Sequence, residues 1–369
     1  MWIHEHQTWP NFTWDAEKLA YHLADIRYRQ GRLLGKMESL GFALKREATL
    51  HILISDVLKS AAIEGENLNF DEVRSSIARR LGMNMAGLIP ASRDVDGIVD
   101  MMLDATQSYS KQLTKARLFD WHAALFPTGR SGLHRITVGD WRTLPNDPMQ
   151  VVSGPIGREK VHFEAPSADR LEKEMGVFLL WFESKDGVDP VLKAGIAHLW
   201  FVTIHPFEDG NGRIARAIAD MALARADNLS DRFYSLSTQI EAERKNYYDQ
   251  LEKQQRGTPD ITAWLTWFLD CLGQAIFSAE ESLKNVLFKA QLWEKMNQNS
   301  VNERQRLIVN RMLEDHFKGY MNTSKYAKLA KCSNDTAFRD IQDLKVRGIL
   351  KQNPGGGRST SYRLSEEEQ

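Results

Sequence analysis

The chain has 369 residues, enough for two or three domains, and its 42% hydrophobic and 26% charged residues are those of a globular protein rather than a disordered one. Lys+Arg 48 against Asp+Glu 49 leaves a net charge of -1, which excludes binding of polyanions through overall charge but allows a local basic patch. Cys271 and Cys332 give no disulfide framework and no metal spacing, no apolar run reaches the ~18 residues of a membrane span, and M-W-I-H-E-H-Q lacks a signal peptide's layout, so a cytoplasmic protein with no membrane part is expected.

Residues 2–15 hold three tryptophans and a phenylalanine, an aromatic segment expected to dock on the main body, with His4 and His6 read as surface residues. Leu19, Leu23, Ile26, Leu33, Leu34, Met37 and Leu40 predict a long helix from Asp15, its N-cap, to Leu40. A second helix is predicted over Leu44 to Ile63, closed by Gly65, and Glu64 then sits at the negative end of the helix dipole, where a positive partner is required. Asn69 to Leu81 reads as a third helix, Met83 to Pro90 as a loop, and a core begins near Asp94. W-R-T followed by V-V-S-G-P-I-G-R-E-K-V-H-F-E-A-P, up to Pro166, reads as a β-hairpin with a loose turn.

A helix from Pro190 should end at Ile204, before Pro206, and another should begin near Asn211, where Ile214, Ala217, Ile218, Met221 and Ala222 recur at three and four. Between them, H-P-F-E-D-G-N-G-R-I-A-R (205–216) feeds a helix N-terminus whose free N–H groups favour an anion. Gly210 and Gly212 let the backbone approach a ligand, and Arg213 and Arg216, three apart, reach the same polyanion. G-N-G-R-I-A also fits a loose dinucleotide fingerprint, but that pattern calls for a preceding strand. His198, His205 and Asp209 could form a metal triad, without an H-E-x-x-H or Cys/His cluster in support, and a polar helix–loop–helix corner is the bland alternative. Tyr247 and Tyr248 follow on a helix, where adjacent tyrosines usually split between core and surface, and Trp264, Leu265, Trp267, Phe268 and Leu272 form a core stripe. The last 69 residues carry 13 Lys+Arg against 9 Asp+Glu and read as helix, turn, second helix and a two-stranded wing around Gly355 to Gly357, with Asp335, Asp340 and Asp343 weakening the case for DNA.

The twelve residues from His205 to Arg216 resemble, position for position, the H-P-F-x-[DE]-G-N-G-R-x-x-R signature of Fic-domain proteins, nucleotidyltransferases that usually attach AMP to a protein hydroxyl. The resemblance implies a mainly α fold, a Fic-type helical bundle with a β-hairpin flap, to which the C-terminal winged helix is added. The expected segments are 1–93, an N-terminal helical region with an inhibitory helix; 94–275, the catalytic core; 276–300, a linker helix; and 301–369, the winged helix. It implies His205 as general base, Phe207 as loop anchor and Asp209 as the ligand of Mg²⁺, with Gly210, Asn211, Gly212, Arg213 and Arg216 on the phosphates of ATP. Tyr247 and Tyr248 would line the adenine and ribose pocket, with Gln255 where some members have an asparagine. Val152, Ser153 and Gly154 would also bind the nucleotide from the flap (151–166), which in the family holds the target's backbone as an added strand beside it. Ser60, Glu64 and Gly65 match [ST]-x-x-x-E-[GN], the motif of an autoinhibitory helix whose glutamate pairs with Arg216. The function implied is transfer of AMP to a Tyr, Thr or Ser hydroxyl of a target protein or of the chain itself. The other readings are a hydrolase that removes AMP through the same site and a winged-helix transcription regulator with a nucleotide-sensing core. Residues 301–369 are expected to contact protein rather than DNA, and a homodimer is left open.

Overall fold

Helices carry this fold, and their ends fall where the sequence places caps. The computed structural model describes residues 1–38, 41–83, 87–143, 148–155, 157–298, 301–313, 317, 319–354 and 360–365. It begins with α1 (Ala16–Glu38), α2 (Phe42–Ile63), α3 (Phe70–Arg80), α4 (Arg93–Gln107) and α5 (Lys115–Leu125). Asn69, Ser92 and Thr114 accept first-turn N–H groups and so start α3, α4 and α5. Two short hairpins follow, β1 (Arg130–Ser131) with β2 (His134–Arg135) and β3 (Gln150–Ser153) with β4 (Lys160–Glu164), each antiparallel. Then come α6 (Leu171–Glu183), α7 (Pro190–Ile204), α8 (Asn211–Asp227), α9 (Leu236–Ala242), α10 (Arg244–Gln255) and α11 (Thr262–Gln298).

The chain divides into two compact units, Met1–Glu280 and Glu281–Gln369. In the first unit, α7 and α8 form the central pair. Every residue of α7 from Ala194 to Ile204 is buried, so this helix is apolar on all sides, as a helix enclosed by others must be. Pro190 occupies its first turn and Asp189 caps it, accepting from Val191 N at 2.8 Å. The N-terminal segment docks as expected, Trp9 and Phe12 meeting Trp200 edge-on. His4, however, is buried rather than on the surface, its ring against Phe163 of β4. Trp141, Arg142 and Thr143 lie outside the β3–β4 hairpin.

The second unit holds α12 (Glu303–Met312), α13 (Thr323–Ala330), α14 (Asn334–Val346) and the antiparallel pair β5 (Leu350–Gln352) and β6 (Tyr362–Leu364), with Met321 bridged to Tyr362. Ile308, Ile341, Leu344 and Tyr362 form its core together with Leu292 and Met296 from the end of α11. Gly355 to Gly357, the expected wing tip, lie outside the described residues. Asp340 is one of the three acids of α14 that weaken the case for DNA in the sequence. It is buried, and its carboxylate accepts from Asn302, Arg304 and Tyr326, so it neutralises charge inside the unit.

The approach of α4 to α5 depends on Gly97, where a Cβ would overlap the carbonyl oxygen of Ala124. Gly97→Ala should lower unfolding stability by about 1–3 kcal/mol, the usual cost of overpacking a core, since a helix carbonyl cannot step aside. Urea unfolding of the variant checks this, and a wild-type midpoint would contradict the tight contact.

Candidate active site

Three chain segments build this site: the end of α2, the loop from α7 into α8, and the β3–β4 hairpin with α10. The loop starts with a left-handed residue, His205 at φ 51°, which turns the chain out of α7. Gly210, at φ 82°, turns it back into α8, and a Cβ there would come within 2.9 Å of the Phe126 ring. Asn211 ties the two turns together. Its side chain accepts from Phe207 N at 3.0 Å and donates to Phe207 O at 2.8 Å, so the amide clamps the loop and only its backbone faces the helix end. Phe207 is fully buried and stacks on His122 with ring centroids 4.1 Å apart.

His122 and Arg142 are functional supports that the sequence reading missed. His122 Nε2 donates to the Asp209 carbonyl at 3.2 Å while Nδ1 accepts from Gly139 N, so a neutral ring in one tautomer fits between the loop and the segment that follows β2. Arg142, buried, donates Nε to the His205 carbonyl at 2.8 Å and Nη2 to the Pro166 carbonyl, and burial lowers it to about 10. Neither residue belongs to a local pattern in sequence; each is identified only by the backbone carbonyls it meets.

His205 Nδ1 lies 3.2 Å from the Val202 carbonyl, which can only accept, so Nδ1 carries the hydrogen and Nε2 keeps the lone pair of a neutral ring. Desolvation, with Arg142 adding to it, holds this imidazole at about 4. At neutral pH it is therefore a proton acceptor in waiting.

The helix end is the electrostatic centre. The first intrahelical bond of α8 runs from Ile214 N to Gly210 O at 3.0 Å, which leaves the N–H groups of Asn211, Gly212 and Arg213 ahead of it. Over that end sits the Glu64 carboxylate, so close that a Cβ on Gly212 would collide with it. Glu64 Oε1 is 2.8 Å from Arg216 Nη1, and Arg216, 1% exposed, also donates Nε to Ser60 Oγ at 3.0 Å and Nη2 to the Ser60 carbonyl at 2.8 Å. The carboxylate is aimed by the close of α2. Gly65, at φ 85°, donates to Ala62 O and Glu66 N donates to Ala61 O at 3.1 Å, the two crossed bonds of a Schellman ending. The same ending delivers Glu66, a third residue not foreseen, to Arg213 Nη1 at 2.8 Å. Desolvation raises Glu66 above its ordinary value despite that arginine, with Asp209 and Glu64 adding repulsion.

A cavity of about 440 Å³ opens beside this end, lined by Glu64, His205, Gly212, Tyr248 and Gln255 and, from the hairpin, by Val151, Val152, Ser153 and His162. Tyr248 is 37% exposed and donates to the Ile63 carbonyl at 3.2 Å. Tyr247 is corrected: it is 1% exposed and absent from the cavity wall, its hydroxyl 2.9 Å from His198 Nε2 in the core. The adjacent tyrosines split between core and surface because they are only about 100° apart on the helix. That pairing also removes His198 from any metal triad, and among the described residues no three His, Cys, Asp or Glu side chains gather as metal ligands. Gly154, at φ 106°, begins the hairpin's turn. Asp209 accepts from Gly210 N at 2.5 Å and from the Ser131 hydroxyl.

Residues 112–223 match the Fic/DOC family, and residues 2–83 match a domain of unknown function, DUF4172. Among curated proteins, the protein adenylyltransferase Fic of Aedes aegypti is 27% identical over 244 residues, 64% of this chain and 44% of that protein. The chain thus spans less than half the length of that relative. A Fic family protein from Desulfovibrio desulfuricans G20 superposes with a TM-score of 0.52 at 20% identity, covering 94% of this chain and 97% of that one. A Fic domain containing signaling protein from Bacteroides thetaiotaomicron gives 0.53 at 19% identity, over 70% of this chain and 98% of that one. At such identities the structural likeness establishes the fold.

Burial around the loop predicts a pH dependence. His122 and His205 are lowered from 6.5 to about 4 and His198 to about 3, in each case chiefly by desolvation. Between those values and 6.5 the unfolded chain binds more protons than the folded one, so this contribution is complete above about pH 6.5 and is lost as pH falls toward 4. The urea midpoint should drop between about pH 6.5 and 5, above the carboxylate range. A flat midpoint over that interval would count against three neutral buried imidazoles.

Proposed function

We propose that this chain, whose residues 112–223 form a Fic domain, transfers AMP from ATP to a Tyr, Thr or Ser hydroxyl of a protein, and that Glu64 restrains the reaction. The observation that carries this reading is the Glu64 carboxylate held over the α8 N-terminus against Arg216, with the His205 imidazole on the same cavity wall. A carboxylate bound there marks an anion site already furnished with helix N–H groups and two guanidiniums.

In the reaction the target hydroxyl attacks the α-phosphorus, His205 Nε2 takes its proton, and pyrophosphate leaves. A triphosphate in the cavity adds negative charge near the imidazole and raises it from about 4 toward neutrality, which suits a general base. Arg213, Arg216 and the N–H groups of Gly212 and Arg213 neutralise the β- and γ-phosphates. Mg²⁺, when bound, would shield charge between phosphates, and Asp209 would hold it: each carboxylate oxygen has one hydrogen-bond partner and keeps a lone pair, and a single protein carboxylate with phosphate oxygens suits this ion. The exposed strand β3 of the β3–β4 hairpin is the proposed dock for the target's backbone.

Glu64 competes for the donors that the γ-phosphate needs. Glu64→Gly should raise transfer roughly 30- to 150-fold if that partly buried ion pair contributes about 2–3 kcal/mol. Arg216→Ala should abolish the gain even beside Glu64→Gly, because the arginine serves the nucleotide. Glu66 is 45% exposed in its pair with Arg213, so Glu66→Ala should tighten ATP binding only about two- to fivefold. Incubation with α-labelled ATP, with intact-mass analysis of the chain and of lysate proteins, checks the first two, and ATP titration of Glu66→Ala checks the third. Equal labelling by wild type and Glu64→Gly would reduce the end of α2 to a capped helix.

His205→Ala should lower transfer at least ~10²-fold while ATP still binds, since the imidazole moves a proton and holds no phosphate. Transfer at the wild-type rate would remove His205 from the role of base.

A further inference from the structure

Three side chains on the far wall of the cavity form an arrangement that the reading above does not use. Ser153 Oγ lies 2.6 Å from His162 Nε2, and His162 Nδ1 lies 2.5 Å from Glu252 Oε2. A carboxylate only accepts, so Nδ1 carries the hydrogen, and in the neutral ring Nε2 accepts from the serine. This is the order of nucleophile, base and orienting acid that activates a hydroxyl. All three side chains line the same cavity as His205 and Glu64.

The backbone is arranged around it. Val151 pairs with Phe163 and Val152 with Val161, so His162 has no partner on β3 and is the extra residue of a β-bulge. Bulges re-aim side chains, and this one turns His162 toward α10. Glu252 is kept charged there, its hydrogen bond from His162, and then that from Lys160, holding it below the ordinary glutamate value. A latch tying the hairpin to α10 needs only His162 and Glu252. Ser153 sits on the same hairpin as His162, so its hydroxyl adds nothing to such a latch.

We propose that Ser153 is an acceptor of the nucleotidyl group within its own chain, with His162 as its base, a step that rests on the reading of this cavity as an AMP-transfer site. Ser153 Oγ attacks the α-phosphorus of ATP and forms the new P–O bond. The bond from that phosphorus to the bridging oxygen breaks, and pyrophosphate leaves with the electron pair. The serine proton passes to His162 Nε2, and the imidazolium remains hydrogen-bonded to Glu252. The product is a phosphodiester joining Ser153 to adenosine.

The test uses the full chain carrying Glu64→Gly, α-labelled ATP, Mg²⁺ and peptide mapping. AMP is expected on the peptide containing Ser153, at a rate per molecule that does not change on dilution, and Ser153→Ala should remove that label while Ser153→Thr retains it. His162→Gln, which can hold the hydrogen bond but cannot take the proton, should slow labelling of Ser153 about 10²-fold. AMP on other residues or on lysate proteins but not on Ser153 overturns this proposal and leaves the transferase reading intact. AMP on nothing at all overturns both. Labelling of Ser153 at an unchanged rate in His162→Gln removes His162 as its base.

Discussion

Two guanidiniums and a helix N-terminus meet at the start of α8, and a positive site so poorly hydrated requires a negative group. Arg216 is almost fully enclosed and Arg213 nearly so, so neither can find its counter-charge in water. Here the end of α2 supplies two carboxylates at a spacing of two residues, one for each arginine. The rest of the first unit can be ordered by how it serves that meeting. The Schellman ending of α2 aims Glu64 and Glu66, the left-handed His205 and Gly210 reverse the chain, Asn211 fixes the reversal, and His122 and Arg142 hold it from behind.

Much of this was legible in the sequence because it is local. The bounds of α7, from Pro190 to Ile204, and the start of α8 at Asn211 follow from proline chemistry and apolar spacing, and both are as expected. The need for a positive partner at Glu64 follows from the helix dipole alone. The resemblance then singled out Arg216, which is the partner found. What could not be read depends on distant backbone. His122 and Arg142 recognise carbonyls from other segments, and nothing in their neighbours signals it. Tyr247 was assigned by analogy to the pocket, whereas packing against His198 places it in the core.

Charge counting in the C-terminal unit says nothing of burial, for a related reason. Asp340 counts as an acid against a basic background, but in the structure it is the shared acceptor of Asn302, Arg304 and Tyr326. Its charge is cancelled internally, so the surface of α14 is less acidic than its sequence.

The aromatic start of the chain reaches farther than its docking role suggests. Trp2 and His4 meet the Phe163 ring edge-on, Arg256 stacks over Trp2 and donates to the Val161 carbonyl, and Thr13 bridges the turn between α10 and α11. Residues 2–83, which match a domain of unknown function, therefore brace β4 of the hairpin with their first residues and place Glu64 against Arg216 with their later ones. The portion matched to the Fic/DOC family, 112–223, therefore has contacts to residues 2–83 at two places, the arginines at the start of α8 and strand β4, so removing the upstream segment would free the arginines and expose one side of the hairpin together.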